Sequence, residues 1–413
     1  MSPTGLGGRR APKLYEGGAL GYTYRRRRSG PNWGLIVSLV LVAGAAAYFV
    51  PQYITPQAGP TPPPLGSDAA PVAAAAPSPA ALLATPPPAR LEDAAAEIAV
   101  GHWTAAAGVY ADVARAAPTL AAAQAGWARA LVYANKPGDA IEHAQKAADL
   151  EPKSAEFQAL LALAFDWSGN SDRALTSSRR ATELDPKLAE GWAYLAEAET
   201  DKFRLKEAGD ALERAVAAGG ADNPEVLRVQ AYLAETNADY TSAIDLYKRA
   251  VARAPERSYM RLSLGHALRT VKQYDEAIQA YQQAADLNPE DARAEGGMGA
   301  AYYAMEEYDS AQSHLQRALE IDPNYATGWG QLGWVFYVQK NYDGAEPNFE
   351  KAVALEKEPI KNATYRHALG WSYVNTKQYD KAKQEFTKAL QENPDLDGAK
   401  EGLQVVATSS PSH

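Results

Sequence analysis

A chain of 413 residues without cysteine can hold no disulfide, thiol nucleophile, cysteine zinc site or lipidated cysteine. Its net charge of −9 is divided unevenly: residues 1–32 carry seven basic side chains against one acid, about +6, which leaves about −15 for the rest. That acidic remainder argues against nucleic acid as a partner, because phosphates need a basic footprint.

Residues 1–32 are rich in Gly, Arg and Tyr and show no helical period. They read as a basic cytoplasmic tail without a core of its own. The tail is either simply solvated or a docking segment anchored by Tyr15, Tyr22 and Tyr24. Trp33–Val50 follows as eighteen uncharged residues, which Tyr53-Ile54 extend. About 20 such residues cross a bilayer as a helix, so residues 33–54 are expected to form one transmembrane helix. Trp33, Tyr48 and Tyr53 fit interfacial aromatic belts, and Arg25, Arg26, Arg27 and Arg28 place the N-terminus in the cytoplasm. The expected location is therefore a single-pass inner (plasma) membrane protein with its remainder outside the cytoplasm. The rival reading is a cleaved signal peptide, with Ala45-Ala46-Ala47 near the cut and a secreted or periplasmic product. A third reading is a buried helix of a soluble fold, which no other element requires. Pro51–Pro88 holds twelve prolines and cannot pack a core, so residues 55–88 read as a semi-stiff linker.

The stretch Ser258–Asp291 sets the pattern for the rest. With Ser258 as position 1, Leu264 and Gly265 fall at 7 and 8, Leu268 at 11, Tyr274 at 17, Ala277 at 20, Tyr281 at 24, Ala284 at 27 and Pro289 at 32. Two helical periods lie back to back, joined near Val271-Lys272-Gln273. The slots recur every 34 residues. Position 20 returns as Ala106, Ala140, Ala174, Ala208, Ala243, Ala311, Ala345 and Ala382, and the closing proline as Pro118, Pro152, Pro186, Pro255, Pro323 and Pro394. Nine repeats start near 87, 121, 155, 189, 224, 258, 292, 326 and 363, with insertions at Gly219-Gly220 and around Glu356–Ile360.

This pattern resembles the tetratricopeptide repeat, a 34-residue helix–turn–helix unit. The resemblance implies an all-α superhelical solenoid, here spanning residues 89–396, with 397–413 as capping helix and tail. Stacking suits the sequence independently, since one helix pair cannot bury its apolar face alone. Asp93 and Glu97 break the apolar pattern of the first repeat, as an end cap would. Pro347 lies inside the second helix of the eighth repeat and is expected to kink or delay it.

No phosphate-binding loop or paired-histidine metal motif is present, and the six histidines are scattered. The chain therefore reads as no enzyme, with no cofactor and no metal. Gly296-Gly297-Met298-Gly299 falls where small residues serve helix packing. In this family the concave face is lined by first-helix positions 2, 5, 9, 12 and 13. Those slots carry an acidic strip, Glu156, Asp166, Glu190, Glu197, Asp201, Glu225 and Glu235, in repeats three to five. In repeats five to nine they carry Arg228, Tyr232, Tyr259, His266, Arg269, Tyr303, Trp334, Tyr337, His367 and Trp371, with Gly296 and Gly330 as floor space. These are the partner-binding candidates, because aromatics and arginine dominate hot spots. The rival reading is that some rings only pack. Chaperone-tail clamps of this family use asparagines and lysines, and here those slots hold only Asn375. The function expected is a membrane-anchored scaffold that binds protein partners or assembles a membrane complex. The alternatives are a receptor for an extended peptide or glycan, and an accessory subunit held by its transmembrane helix and basic tail.

Overall fold

The computed structural model describes residues 87–409, which are helical throughout apart from their turns. The expected transmembrane helix, basic tail and nearly all of the linker lie outside the described residues. Among the described residues no helix is long and apolar enough to cross a membrane.

The first helices of the nine pairs are α1 (Pro87–Ala99), α3 (Ala121–Tyr133), α5 (Ala155–Trp167), α7 (Ala189–Asp201), α9 (Pro224–Thr236), α11 (Ser258–Thr270), α13 (Ala292–Ala304), α15 (Ala326–Val338) and α17 (Pro359–Asn375). Their partners are α2 (Trp103–Ala116), α4 (Pro137–Leu150), α6 (Ser171–Leu184), α8 (Leu205–Ala217), α10 (Tyr240–Arg253), α12 (Tyr274–Leu287), α14 (Tyr308–Ile321), α16 (Tyr342–Leu355) and α18 (Tyr379–Glu392). A last helix, α19 (Asp397–Ser409), buries Ala399, Gly402 and Val406 and closes the stack. Each first helix packs on its own partner, and each partner packs on the next first helix. The repeat starts read from the period coincide with helix starts in the first eight repeats, and the ninth first helix starts at Pro359, before the expected 363. Pro87 and Pro88 open α1; proline fits a first helical turn, whose N–H groups have no helical acceptor.

Small residues let the helices of a pair approach. All nine position-20 alanines, from Ala106 to Ala382, are 0 % exposed. A Cβ added to Gly333 would lie 2.7 Å from the Phe349 ring, and one on Gly370 2.6 Å from the Phe386 ring. Thus position 8 yields space to the bulky residue at position 24.

The irregularities have local causes. The insertion after α8 is absorbed by Gly219, at φ +92°, and a 3-10 turn over Gly220–Asp222. The insertion near residue 356 lengthens α17 at its N-terminus, where the Glu358 carboxylate accepts from the N–H groups of Ile360 and Lys361. Pro347 does not delay its helix: α16 starts at Tyr342 and runs 14 residues, as α14 and α18 do. The proline sits on the exposed face near the helix start, where its missing N–H removes one bond beyond those already free.

The stack curves until it touches itself. The Thr104 hydroxyl donates to Glu290 at 2.8 Å, 186 residues away in sequence. Gly101, at φ +83°, lies so close to the chain beyond α10 that an added Cβ would sit 2.8 Å from the Glu256 carbonyl oxygen. The first helices thereby converge on a narrow interior.

Candidate functional site

In the N-terminal half that interior is filled. The Tyr133 and Tyr259 rings stack at 5.0 Å, and Trp167 meets Tyr259 edge-on at 5.1 Å. Beneath them lies an ion-pair network. Arg228 grips Glu197 with two bonds of 2.6 Å and reaches Glu225 through Nε at 2.9 Å. Glu225 also accepts from Arg257 at 2.6 Å and, very closely, from the Tyr259 hydroxyl. The Trp167 indole donates to Glu197 at 3.2 Å. Glu197, Glu225 and Arg228 are each 2 % exposed or less. Burial alone would raise the Glu225 carboxyl, but Arg228 and Arg257 outweigh it and hold the group below its ordinary range.

Two further acidic positions lie beside the network. Asp166 is 1 % exposed, and neither of its carboxylate oxygens has a hydrogen-bond partner. Asp201 accepts from the Tyr232 hydroxyl at 2.7 Å and from Ser171 at 3.5 Å. Farther along, Glu235 accepts from the Tyr247 hydroxyl at 3.1 Å and faces His266 Nε2 at 3.3 Å. Burial pushes Glu235 up to about 7. Burial, with the Arg269 charge, pushes His266 down to about 3.

Of the strip expected to expose acids to the groove, Asp166, Glu197 and Glu225 are buried, and Asp201 and Glu235 are only partly exposed and bound to Tyr232 and Tyr247. Glu156 is exposed and Glu190 partly so, Glu190 accepting from Asn223 at 2.6 Å. Arg228 and Tyr259 are buried and spent on internal partners, and Tyr232 is committed to Asp201. Tyr133 and Trp167 are additions to the expected set. Both occupy position 13, in repeats two and three, one of the slots that line the inner face in this family, so slot and ring type together are their signal in the sequence. Arg257 follows no slot of that map.

The C-terminal half is more open. Tyr303, Tyr337 and Trp371 are partly exposed and Asn375 is exposed. The two tyrosines lean on the first residue of their own second helix, Tyr303 on Tyr308 at 5.8 Å and Tyr337 on Tyr342 at 5.2 Å. The Asn375 amide donates to the Tyr337 hydroxyl at 3.3 Å, tying repeats eight and nine together. Trp334 is 3 % exposed and packs edge-on against Phe349 at 5.3 Å. Trp371 lies 5.6 Å from Phe386, and its indole donates to His367 Nε2 at 2.9 Å. Burial lowers His367 to about 4, so it is neutral and accepts that bond at pH 7. The paired tryptophan wall is replaced by two rings, each turned onto its own repeat. Nor are Gly296 and Gly330 open floor: the Tyr325 ring covers the first and the Tyr365 ring the second. Arg269 keeps partial exposure, with Nη2 3.3 Å from His266 Nδ1. Among the described residues no cluster of three or more acidic or histidine side chains is placed to hold a metal ion.

Models of the tetratricopeptide repeat match residues 125–166, 228–292, 268–332 and 363–396, so the chain carries tetratricopeptide repeats. No curated protein matches it by sequence. Among solved structures it is similar to a chain of the APC/C hetero-tetramer Cut9-Hcn1, at 18% identity and TM-score 0.59, over 70% of this chain and 56% of that one. It is also similar to human IFIT1, solved as a dimer with PPP-AAAA, at 16% identity and TM-score 0.54, over 71% of this chain and 73% of that one. At such identities the likeness is one of fold.

Proposed function

We propose that this chain is a non-catalytic scaffold that holds protein partners at a membrane, with residues 33–54 as the anchor and the C-terminal concave strip as the docking surface. The observation that carries the docking surface is the contrast between the two halves. Tyr133, Arg228 and Tyr259 are buried in the N-terminal interior, whereas Tyr303, Tyr337, Trp371 and Asn375 keep exposed edges in one region. Partly exposed aromatic rings beside an amide suit an extended peptide segment, with apolar contact from the rings and backbone bonds from the amide. Repeat arrays use such inner faces for binding.

The test is affinity capture of the full chain in mild detergent, compared with a truncated chain beginning at Thr85. The Trp371→Ala and Tyr337→Ala variants accompany both. Captured partners should bind each variant more weakly by on the order of 2 kcal/mol, and the truncated chain should retain them. Trp334→Ala serves as the contrast: its ring is core, so it should lower stability by about 3–5 kcal/mol. Partners that ignore both surface variants yet require residues 1–54 would reject the docking surface and favour an accessory subunit held through its anchor and tail.

A further inference from the structure

Six ionised or ionisable side chains crowd the N-terminal interior: Asp166 on α5, Glu197 and Asp201 on α7, Glu225 and Arg228 on α9, and Arg257 just before α11. Four are acids and two are bases. The two guanidinium groups are spent on Glu197 and Glu225. Nearby cations are engaged elsewhere: Lys202 pairs with Asp172 at 2.7 Å, and Arg179 and Arg204 both pair with Glu199. The remaining groups facing the pair are neutral donors, Ser171 from α6 and Tyr232 from α9, and both serve Asp201. Tyr247 of α10 is bound to Glu235. Asp166 is left with two buried oxygens and no donor.

An isolated buried carboxylate is too costly to keep charged. With no cation supplied by the chain, a proton is the counter-ion that fits the enclosed space. We propose that Asp166 and Asp201 form a proton-binding pair whose protonation keeps the N-terminal turn of the array closed and whose deprotonation loosens it. Protonation brings the cluster of four acids and two bases to balance. Deprotonation leaves two uncompensated charges between α5 and α7, where they repel each other and Glu197. Burial, then the neighbouring Asp201 and Glu197 charges, drive Asp166 upward. Burial raises Asp201 to about 7, against the opposing bond from Tyr232.

The sign follows. The native state holds protons that the unfolded chain has released, so this contribution is fully present below the ordinary aspartate pKa of 3.8. It is lost as pH rises through about 7. Each proton so held changes the folding constant about tenfold per pH unit across that window.

The experiment compares the full chain with Asp166→Asn and Asp201→Asn. Infrared spectra at neutral pH read protonated carboxyl groups. Amide hydrogen exchange of α5 and α7, corrected for its intrinsic pH dependence, reads local opening. The wild-type chain should show a protonated-carboxyl band that shrinks in either variant. Its α5 and α7 protection should fall about tenfold more per pH unit, between about pH 5 and 7, than that of Asp166→Asn. An unchanged band, or parallel protection profiles, overturns the proposal. Asparagine reproduces the size and neutrality of the protonated acid, so an Asp166→Asn chain that fails to fold overturns it too. Restored protection with millimolar calcium above neutral pH would assign the pair to a divalent cation instead, and would equally sink the proton reading.

Discussion

Position 15 of each repeat takes a backbone conformation that most of its occupants disfavour. Phe203, Ala238, Lys272, Glu306, Lys340 and Lys377 have φ between +58° and +66°, where Asn135, Gly101 and Gly169 also lie on the left-handed side. The cause is the tight end of the first helix. Ala238 donates to the Glu235 carbonyl and Asp239 to the Ala234 carbonyl, the paired closure that turns a helix back on itself. A Cβ in this region costs about 1–2 kcal/mol, while glycine loses about 0.5–1 kcal/mol more entropy on folding. Ala238→Gly should therefore raise stability by on the order of 0.5–1 kcal/mol in urea denaturation. A net loss would show that the turn relaxes without strain. Residue identity is a weak guide to such a turn, because the helix pairing on either side imposes it.

The helix pair is the unit that the chain repeats, and its alanine seam is the most regular feature. Ala277 and Ala284 are 1 % exposed or less, facing α11 and the following repeat, whereas Gln282 on the same helix is exposed. Leucine at either alanine must push two helices apart, at a cost of roughly 1–3 kcal/mol. Leucine at Gln282 should change the thermal midpoint little. Equal losses at all three positions would show that the seam is not where the helices meet. The same seam explains why Pro347 is tolerated. Ala345, Phe349 and Ala352 hold α16 in place from its buried face, and the proline points away from them.

At the scale of the whole molecule, curvature brings distant repeats of the N-terminal part into contact. Closing the N-terminal turn places Thr104 on Glu290 and seals Tyr133 against Tyr259, so that half spends its inward residues on itself. The edge that stays open, and that we propose as the docking surface, is C-terminal. The proposed anchor gives a separate test of the whole chain, motivated by Arg25–Arg28 beside Trp33–Val50. Protease added outside intact spheroplasts should digest the repeat array and leave a small membrane-embedded N-terminal fragment. An array that survives while the basic tail is clipped would reverse the orientation.

The 34-residue period alone was enough to place the helix pairs, their register and the buried alanines, because each of these depends on contacts within a repeat or to its neighbour. Even the insertions were legible, as breaks in a count. What the sequence could not reveal was which inward positions stay open. Trp334 and Trp371 share a slot, yet their exposure depends on how each ring settles against Phe349 or Phe386. Arg228 and Tyr259 read as hot-spot residues by type, but the acids and rings that bury them come from several repeats. Gly296 and Gly330 look empty in a sequence, but Tyr325, from the end of the same repeat, fills the first and Tyr365, from the next repeat, the second. Small rotations between repeats accumulate along the stack into a curvature that no local pattern encodes. That curvature, not residue type, separates a filled interior from an open edge.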